Sequence, residues 1–261
     1  MATQSRKLAL VTGASTGIGL ELAKLAAKDG YDLVVCADTP LVDASAALKA
    51  EGVEVTNVET DLSTFEGVDR LLDAVGGREI DLLFANAGHG LGHAFLDQEP
   101  SDWRHVIDTN ITGTLYLVQK VAKSMVARNE GRILITGSLA GHLAGAFHAV
   151  YNGSKAFIDS FSDALGNELK ETNVTVTCLK PGATETEFFE RADMMDTKVG
   201  TSPKDDPADV AKTGYDAMMK GTRSVVYGTM NKIQVAGAKV IGGGLAAEMH
   251  RRQAEPGTAE S

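Results

Sequence analysis

The chain has 261 residues, of which 43% are hydrophobic and 23% are charged, a composition typical of a globular protein with a sizeable core. The formal net charge of −10 argues against a nucleic acid or an anionic membrane as the main partner. No run approaches the ~18 apolar residues of a membrane span, and the N-terminal apolar run is too short for a secretory signal. Cys36 and Cys178 lie in separate strand-like runs, a pattern compatible with buried thiols in a reducing compartment rather than with a disulfide framework. We therefore expect a cytoplasmic protein.

Short apolar runs alternate with longer helical patterns along the first 182 residues. Strands are predicted over 7–12, 31–37, 53–60, 80–88, 131–138 and 174–182, and helices over 17–29, 41–51, 64–76, 101–128 and 149–172. The strands are near-continuous Val/Ile/Leu runs, as expected when both faces of a sheet are covered. The alternation predicts right-handed crossovers and an α/β fold, with a parallel sheet between two layers of helices.

The pattern loosens after residue 182. Residues 183–206 have no clear period and are predicted to form a long loop, and such loops are often functional. A helix over 207–220, a strand over 224–228 and a Gly-interrupted helical region over 231–250 follow. With no repeat and no linker in view, we predict a single catalytic domain over 1–250 and a frayed polar tail over 251–261.

A glycine cluster lies at the turn between the first strand and the first helix. Gly13, Gly17 and Gly19 follow the pattern G-x-x-x-G-x-G. Glycine allows the backbone to approach a phosphate closely, and a helix N-terminus supplies free N–H groups and a positive dipole end. A tight turn with no ligand is the alternative interpretation. The strand before and the helix after favour a phosphate cradle.

Asp38 ends the second predicted strand, where an acidic side chain can accept a hydrogen bond from the 2′-hydroxyl of an adenosine ribose. It would repel a 2′-phosphate, and no Arg or Lys lies between Lys28 and Lys49. NAD is therefore the predicted cofactor and NADP the alternative. A plain turn role for Asp38 also stays open.

The stretch YNGSK, residues 151–155, has three interpretations. It contains an Asn-x-Ser glycosylation pattern, it contains the turn-forming pair Asn-Gly, and it places Tyr151 and Lys155 on one face of a helix. Without secretion the first loses its basis. A hairpin there would interrupt the crossover between the fifth and sixth strands, so the helical interpretation is favoured.

The motifs TGASTGIG (12–19), NAG (86–88), Asn110, Ser138, YNGSK and PGATET (181–186) together resemble the short-chain dehydrogenases/reductases. The resemblance is continuous from about residue 6 to 190. It implies a single Rossmann-like doubly wound domain with about seven strands, and an oxidoreductase with the catalytic residues Asn110, Ser138, Tyr151 and Lys155. It also implies a homodimer or homotetramer. The family pattern usually has Ala at the position of Gly153, a departure that affects helix stability more than chemistry.

The resemblance also implies a set of cofactor-binding residues. These residues would hold the pyrophosphate, line the adenine and ribose, support the sheet and contact the nicotinamide end of the cofactor. They are Gly13, Ser15, Gly17, Ile18, Gly19, Asp38, Asp61, Leu62, Asn86, Ala87, Gly88, Tyr151, Lys155, Pro181, Gly182, Thr184 and Thr186.

These residue types suit hydride transfer to a carbonyl, which leaves negative charge on oxygen. Tyr151 can deliver the required proton as a general acid, and the ammonium of Lys155 favours its ionised form. Ser138 can polarise the substrate oxygen, and Asn110 would hold a water that links Lys155 to solvent. The function predicted is hydride transfer between NAD(H) and a secondary alcohol, ketone or aldehyde. The alternatives are NADP(H) or a non-catalytic dinucleotide sensor, although an inactive sensor predicts a broken tetrad.

Other polar residues carry weaker signals. His142 and His148 lie between Ser138 and Tyr151 and are candidates for contact with the substrate, as is Phe188. Phe188, Phe189, Met194 and Met195 suggest an apolar lid over a small-molecule substrate. His89 and His93 have i, i+4 spacing in a Gly-rich loop, and no metal site is predicted from them.

Overall fold

A computed structural model describes residues 6–228, 231 and 242–259. In this part of the chain, seven strands form one sheet in the order β3-β2-β1-β4-β5-β6-β7, and every neighbouring pair is parallel. The strands are β1 (Leu8–Thr12), β2 (Asp32–Ala37), β3 (Val55–Glu59), β4 (Leu82–Ala85), β5 (Gly131–Thr136), β6 (Val174–Lys180) and β7 (Ser224–Val226).

Helices cover both faces of the sheet, which confirms the predicted single-domain, Rossmann-like α/β architecture. They are α1 (Gly17–Lys28), α2 (Val42–Lys49), α3 (Phe65–Ala74), α4 (Pro100–Ile107), α5 (Thr114–Arg128), α6 (Ala149–Glu168), α7 (Phe188–Arg191), α8 (Lys198–Thr201), α9 (Pro207–Met219) and α10 (Gly243–Ala254). Short 3₁₀ turns cover Phe95–Asp97 and Leu139–His142. Among the described residues, no helix combines the length and apolar character needed to cross a membrane.

Side chains of the central strands alternate between two hydrophobic cores. In β1, Leu8 and Leu10 face the core formed with α3, α5 and α6, whereas Ala9 and Val11 face the core formed with α1, α2 and α9. Successive residues of a strand point to opposite faces, so these apolar runs are fully buried between two helical layers.

The strand order reverses between β1 and β4. β1 connects through α1 to β2 on one side, while β4 pairs on the other side of β1 with Leu10 opposite Leu83. Crossovers leave in opposite directions at such a point, so a crevice opens beyond the carboxyl ends of the two strands. The residues that follow β1 and β4 are Gly13 and Asn86, which brings two of the predicted motifs together.

Three regions differ from the sequence expectations. The predicted helix over 101–128 is divided by a π-helical segment, Asp108–Gly113. Residues 183–206 are not a continuous loop, because they contain α7 and α8. Much of the Gly-interrupted region over 231–250 lies outside the described residues, but α10 begins at Gly243.

The predicted frayed tail also differs, because α10 continues to Ala254, which is buried. Beyond it, Thr258 accepts a hydrogen bond from the backbone N–H of Lys198 at 3.0 Å. The chain therefore folds back onto α8 after residue 251.

Candidate active site

The glycines of the cradle are required by the backbone itself. Gly13 and Gly17 have φ values of +64° and +58°, which side-chain-bearing residues rarely adopt. Gly19 has an ordinary φ, but a Cβ there would lie 2.0 Å from the carbonyl oxygen of Gly13. The close packing of α1 on the β1 turn therefore depends on glycine, and it brings the N-terminus of α1 to the crevice.

Asn86 joins the ends of three strands. Its amide group donates to the Thr12 carbonyl at 3.2 Å, and its side-chain oxygen accepts from the Thr136 hydroxyl at 2.9 Å. The Thr12 hydroxyl accepts in turn from the backbone N–H groups of Asn86 and Ala87. These bonds fix the floor of the crevice at the ends of β1, β4 and β5.

Tyr151 and Lys155 lie one turn apart on α6, and both are buried. The Lys155 Nζ donates to the Thr136 carbonyl at 2.8 Å and lies 5.8 Å from the centre of the Tyr151 ring. Burial lowers the pKa of Lys155 to about 8, and the carboxylate of Asp159 opposes this change. The NAG turn lies against the ammonium, since a Cβ on Gly88 would be in van der Waals contact with that Nζ at 3.4 Å.

The pKa of Tyr151 differs from the sequence expectation of a readily formed phenolate. Burial raises it to about 12, and the Ser138 side chain acts in the opposite direction. The Lys155 ammonium donates to the Thr136 carbonyl, and the desolvation of the Tyr151 hydroxyl outweighs the stabilisation that a nearby positive charge gives to the phenolate. The phenol is therefore held in the protonated form, which is the form a general acid needs.

Ser138 lies two residues beyond β5 and caps the 3₁₀ turn Leu139–His142, with its hydroxyl accepting from the Ala140 N–H at 3.1 Å. The backbone on either side is tied to the end of β6, because Gly137 donates to the Leu179 carbonyl and Leu139 to the Pro181 carbonyl. Two neighbouring strand ends thus place the serine beside Tyr151.

Asn110 lies in the π-helical segment rather than in a regular helix. Its side chain bonds to protein groups: the oxygen accepts from the His89 N–H at 2.7 Å, and the amide donates to the His89 carbonyl and to the Ser154 hydroxyl, both at 2.9 Å. Asn110 therefore links the loop after β4 to α6.

A cavity of about 530 Å³ joins the glycine cradle to the Tyr151 and Lys155 side chains. It gathers most of the residues predicted to bind cofactor or substrate: Gly13, Ser15, Gly17, Ile18, Asp38, Asp61, Leu62, Asn86, Ala87, Gly88, Ser138, Tyr151, Lys155, Pro181, Gly182, Thr184, Thr186, His148 and Phe188. Gly19 and Asn110 lie behind this lining, the first under the cradle and the second under the loop after β4.

Residues 183–206 and α10, here called the cover, close one side of the cavity. Phe188 is centred 5.1 Å from the Tyr151 ring, and a Cβ on Gly90 would lie 2.5 Å from the Phe188 Cζ. A small apolar cluster of Phe189, Ala192, Met194 and Ala254 holds the cover together. Of the residues predicted to form an apolar lid, Phe188, Phe189 and Met194 line the cavity, whereas Met195 is half exposed and lies outside the lining.

The two candidate histidines have different positions. His148 lines the cavity and stacks on Tyr151, with ring centres 4.4 Å apart, and burial lowers its pKa to about 3. His142 is not among the lining residues, and its Nε2 lies 3.4 Å from the Asp159 carboxylate. The 3₁₀ turn Leu139–His142 places it beside α6, and its predicted contact with the substrate stays a prediction.

Asp38 has a basic neighbour that lies far from it in the sequence. The Arg191 guanidinium donates to the Asp38 carboxylate at 2.5 Å, across a separation of 153 residues. Asp61 lines the cavity, but its carboxylate accepts from the backbone N–H and the hydroxyl of Ser63, both at 2.8 Å. It stabilises the turn before α3.

Sequence reasoning missed many residues of the lining, and three of them that carry polar side chains are Arg191, His250 and Gln253. The last two lie on α10, about a hundred positions beyond Tyr151, and no local pattern joins them to the catalytic motifs. Arg191 follows the PGATET motif closely enough to be suspected of contacting the cavity, but its partner is not predictable from spacing.

A doubly wound parallel sheet with a glycine cradle at its switch point defines the class of Rossmann-type dinucleotide-binding proteins. A family model described as short chain dehydrogenase matches residues 7–196. The chain belongs to this family and is accordingly an NAD(P)-dependent oxidoreductase acting on CH–OH or C=O groups.

Among curated relatives, an oxidoreductase of Myxococcus xanthus is 40% identical over 196 residues, which span 72% of this chain and 76% of the relative. A protein of Streptomyces coelicolor that carries the name of a ketoacyl reductase is 36% identical and spans 71% and 74% of the two chains.

Two solved structures, each 26% identical, cover 90% of this chain. One is a short-chain dehydrogenase/reductase of Burkholderia phymatum in complex with NAD, with a TM-score of 0.81 over 94% of that chain. The other is a short-chain dehydrogenase of Sphingobium yanoikuyae in complex with NADPH, with a TM-score of 0.80 over 93% of that chain. Similar structures thus hold either cofactor.

Proposed function

We propose that the protein transfers a hydride between NAD(H) and a secondary alcohol, ketone or aldehyde, with Tyr151 as general acid and base. The observation that carries this proposal is the buried pair of Tyr151 and Lys155 on one face of α6, at the end of a cavity that begins at the glycine cradle. A protonated phenol in that place can donate to the oxygen that gains negative charge during reduction.

Each member of the tetrad has a distinct task. Ser138 donates to the substrate oxygen and polarises it. Tyr151 gives up its proton, and the Lys155 ammonium stabilises the resulting phenolate. Because the side chain of Asn110 is bonded to His89 and Ser154, we assign the water contact to its main-chain carbonyl. π-helical segments recur at functional sites.

The cradle suits a dinucleotide. The space that a Cβ would fill at Gly13, Gly17 and Gly19 is occupied by neighbouring atoms, and the α1 N-terminus attracts a pyrophosphate. The bound nicotinamide supplies or accepts the hydride. We assign cofactor contacts to Gly13, Ser15, Gly17, Ile18, Asp38, Asp61, Leu62, Asn86, Ala87, Gly88, Lys155, Pro181, Gly182, Thr184 and Thr186, with Gly19 required beneath them.

NAD(H) is favoured over NADP(H) because Asp38 offers a carboxylate to the ribose hydroxyls and repels a 2′-phosphate. The bond from Arg191 reduces this repulsion. We therefore propose that the protein has a higher affinity for NAD(H) than for NADP(H), without excluding NADP(H).

The substrate end of the cavity favours an uncharged carbonyl compound. Phe188 supplies an apolar wall. His148 is neutral near pH 7 because its pKa is about 3, so it contributes a dipole rather than a charge. We also propose that the protein is cytoplasmic, supported by its buried thiols at Cys36 and Cys178, and that it forms a homodimer or homotetramer.

The test supplies purified protein with NADH or NADPH and a panel of aldehydes, aliphatic and aryl ketones and 3-oxoesters, and follows the loss of reduced cofactor. Tyr151→Phe should lower kcat by about 10²–10⁴-fold and leave the dissociation constant of NADH unchanged. Tyr116→Phe removes a hydroxyl that bonds to Asp69 on the surface and serves as the matched control. Retained turnover in Tyr151→Phe would contradict the catalytic assignment.

A further inference from the structure

Arg191 and Asp38, which both line the cavity, form an ion pair. Arg191 is the last residue of α7 in the cover, and Asp38 follows β2 at the adenosine end of the crevice. The guanidinium Nη2 lies 2.5 Å from the Asp38 Oδ2, and the two side chains are 37% and 41% exposed. An exposed pair of this kind adds little to stability, so its interest lies in the ligand surface that it forms.

The pair leaves Asp38 able to accept further hydrogen bonds. A carboxylate offers about four lone-pair directions on two oxygens, and the Arg191 bond engages Oδ2. A ribose hydroxyl can therefore bond to the same carboxylate without displacing Arg191. Binding of NAD(H) is compatible with the pair intact.

A 2′-phosphate changes the balance of charges. Alone, Asp38 would repel it, but a guanidinium beside the carboxylate presents planar N–H donors that match phosphate geometry. Among the described residues that line the cavity, the Lys and Arg side chains are Lys155, Arg191 and Lys198. Lys155 is buried at the Thr136 carbonyl and Lys198 lies on α8, whereas Arg191 is the one bonded to Asp38.

The neighbouring histidine does not supply a competing charge. His89 lies close enough to feel the charges of both Arg191 and Asp38, and burial is the main cause that lowers its pKa. Near pH 7 it is neutral, which leaves the guanidinium as the positive charge of this subsite.

We propose that Arg191 is a specificity residue that reads the 2′ substituent of the adenosine ribose, so that the mixed-charge pair admits NADP(H) beside NAD(H). This inference rests on the proposed function. It places one determinant of cofactor choice in the cover, which otherwise contacts the substrate end through Phe188.

Direct binding tests the inference without a known substrate. The dissociation constants of NADH and NADPH are measured by titration calorimetry for the wild type, Arg191→Leu, Asp38→Asn and the double variant. The dissociation constants of AMP and adenosine 2′,5′-bisphosphate are measured for the same variants, because these two ligands carry only the adenosine end of the cofactors. Arg104→Leu is the matched control, because Arg104 forms a similar exposed pair with Asp108 at 2.7 Å outside the cavity lining.

Arg191→Leu should weaken NADPH and the bisphosphate by about tenfold, or about 1.4 kcal/mol, and leave NADH and AMP nearly unchanged. Asp38→Asn should strengthen the binding of NADPH. In the Asp38→Asn background, Arg191→Leu should weaken the binding of NADPH at least as much as it does in the wild type. The NADPH affinity should fall as salt concentration rises.

Equal effects of Arg191→Leu on both cofactors, or none, would overturn the inference while leaving the proposed oxidoreductase function intact. A wild type that binds NADH but has no measurable affinity for NADPH would also overturn the inference. Failure of the wild type to bind either cofactor would instead overturn the proposed function, and the inference with it.

Discussion

The cradle, comprising residues 12–19, 38 and 86–88, and the cover, comprising residues 183–206 with α10, close the same cavity by different means. The cradle is held by backbone contacts between consecutive elements of the sheet, and a Cβ on Gly19 would lie 2.0 Å from the carbonyl oxygen of Gly13. The cover is held by a small apolar cluster and by contacts between distant residues, such as that of the Gly92 N–H with the Ala192 carbonyl. Cofactor placement therefore depends on a tightly packed frame, whereas the apolar wall of the substrate end, Phe188, lies on a short helix.

The largest expected effect comes from Gly19→Ala. Alanine normally stabilises a helix relative to glycine, but here its methyl group would meet the Gly13 carbonyl and force α1 away from β1. We expect a loss of several kcal/mol in the free energy of unfolding, in line with other overpacked cores, together with loss of NADH binding. Chemical denaturation and calorimetry measure the two. A stable Gly19→Ala variant with unchanged cofactor affinity would remove the packing argument for the cradle.

The second prediction concerns pH. Burial lowers the pKa of Lys155 to about 8, so the ammonium that stabilises the Tyr151 phenolate is lost above that pH, while Tyr151 stays protonated to about 12. We expect kcat/KM for carbonyl reduction to be level below pH 7 and to fall above about pH 8. A profile that stays level to pH 10 would contradict the proposed task of Lys155.

A variant of Asp159 checks that assignment. Lys155 faces Asp159 and Cys178, and the Asp159 carboxylate raises the Lys155 pKa. Asp159 is itself close to Lys180, His142 and Cys178. Asp159→Asn should therefore move the alkaline fall of kcat/KM to lower pH, because a negative charge is removed and the positive charge of Lys180 is left uncompensated. A fall of kcat/KM at an unchanged or higher pH in this variant would mean that a group other than Lys155 titrates there.

The third prediction concerns the cover. Phe188→Ala removes the ring that lies against Tyr151 and His148, so the substrate loses an apolar contact. We expect KM for a ketone to rise about tenfold, equivalent to about 1.4 kcal/mol, with little change in the dissociation constant of NADH. Met195→Ala is the matched control, since Met195 is in the same segment but lies outside the cavity lining. Equal changes in both variants would mean that the cover has only a structural role.

The difference between the two regions also explains what was predictable from the sequence. The strands, the glycine turn and the spacing of Tyr151 and Lys155 are local signals, because period, turn geometry and helix pitch act within a few residues. The Arg191 partner, the α10 lining residues and the orientation of His142 depend on packing between distant segments. The π-helical segment belongs with these, since a Cβ on Gly113 would lie 1.8 Å from the Leu62 carbonyl, a contact that periodicity does not reveal.

The smallest predicted effect is at Gly153, where the sequence departs from its family. Gly153 lies within α6 between Tyr151 and Lys155, and a Cβ placed there would meet nothing within 4 Å. Gly153→Ala should therefore raise the free energy of unfolding by about 0.5–1 kcal/mol, because alanine loses less backbone entropy in a helix. Since neither reactive side chain moves, kcat and the dissociation constant of NADH should be unchanged. In one denaturation series, replacing glycine with alanine should lower the free energy of unfolding at Gly19 and raise it at Gly153. Destabilisation at Gly153 would show that the tetrad helix uses glycine for a reason other than space.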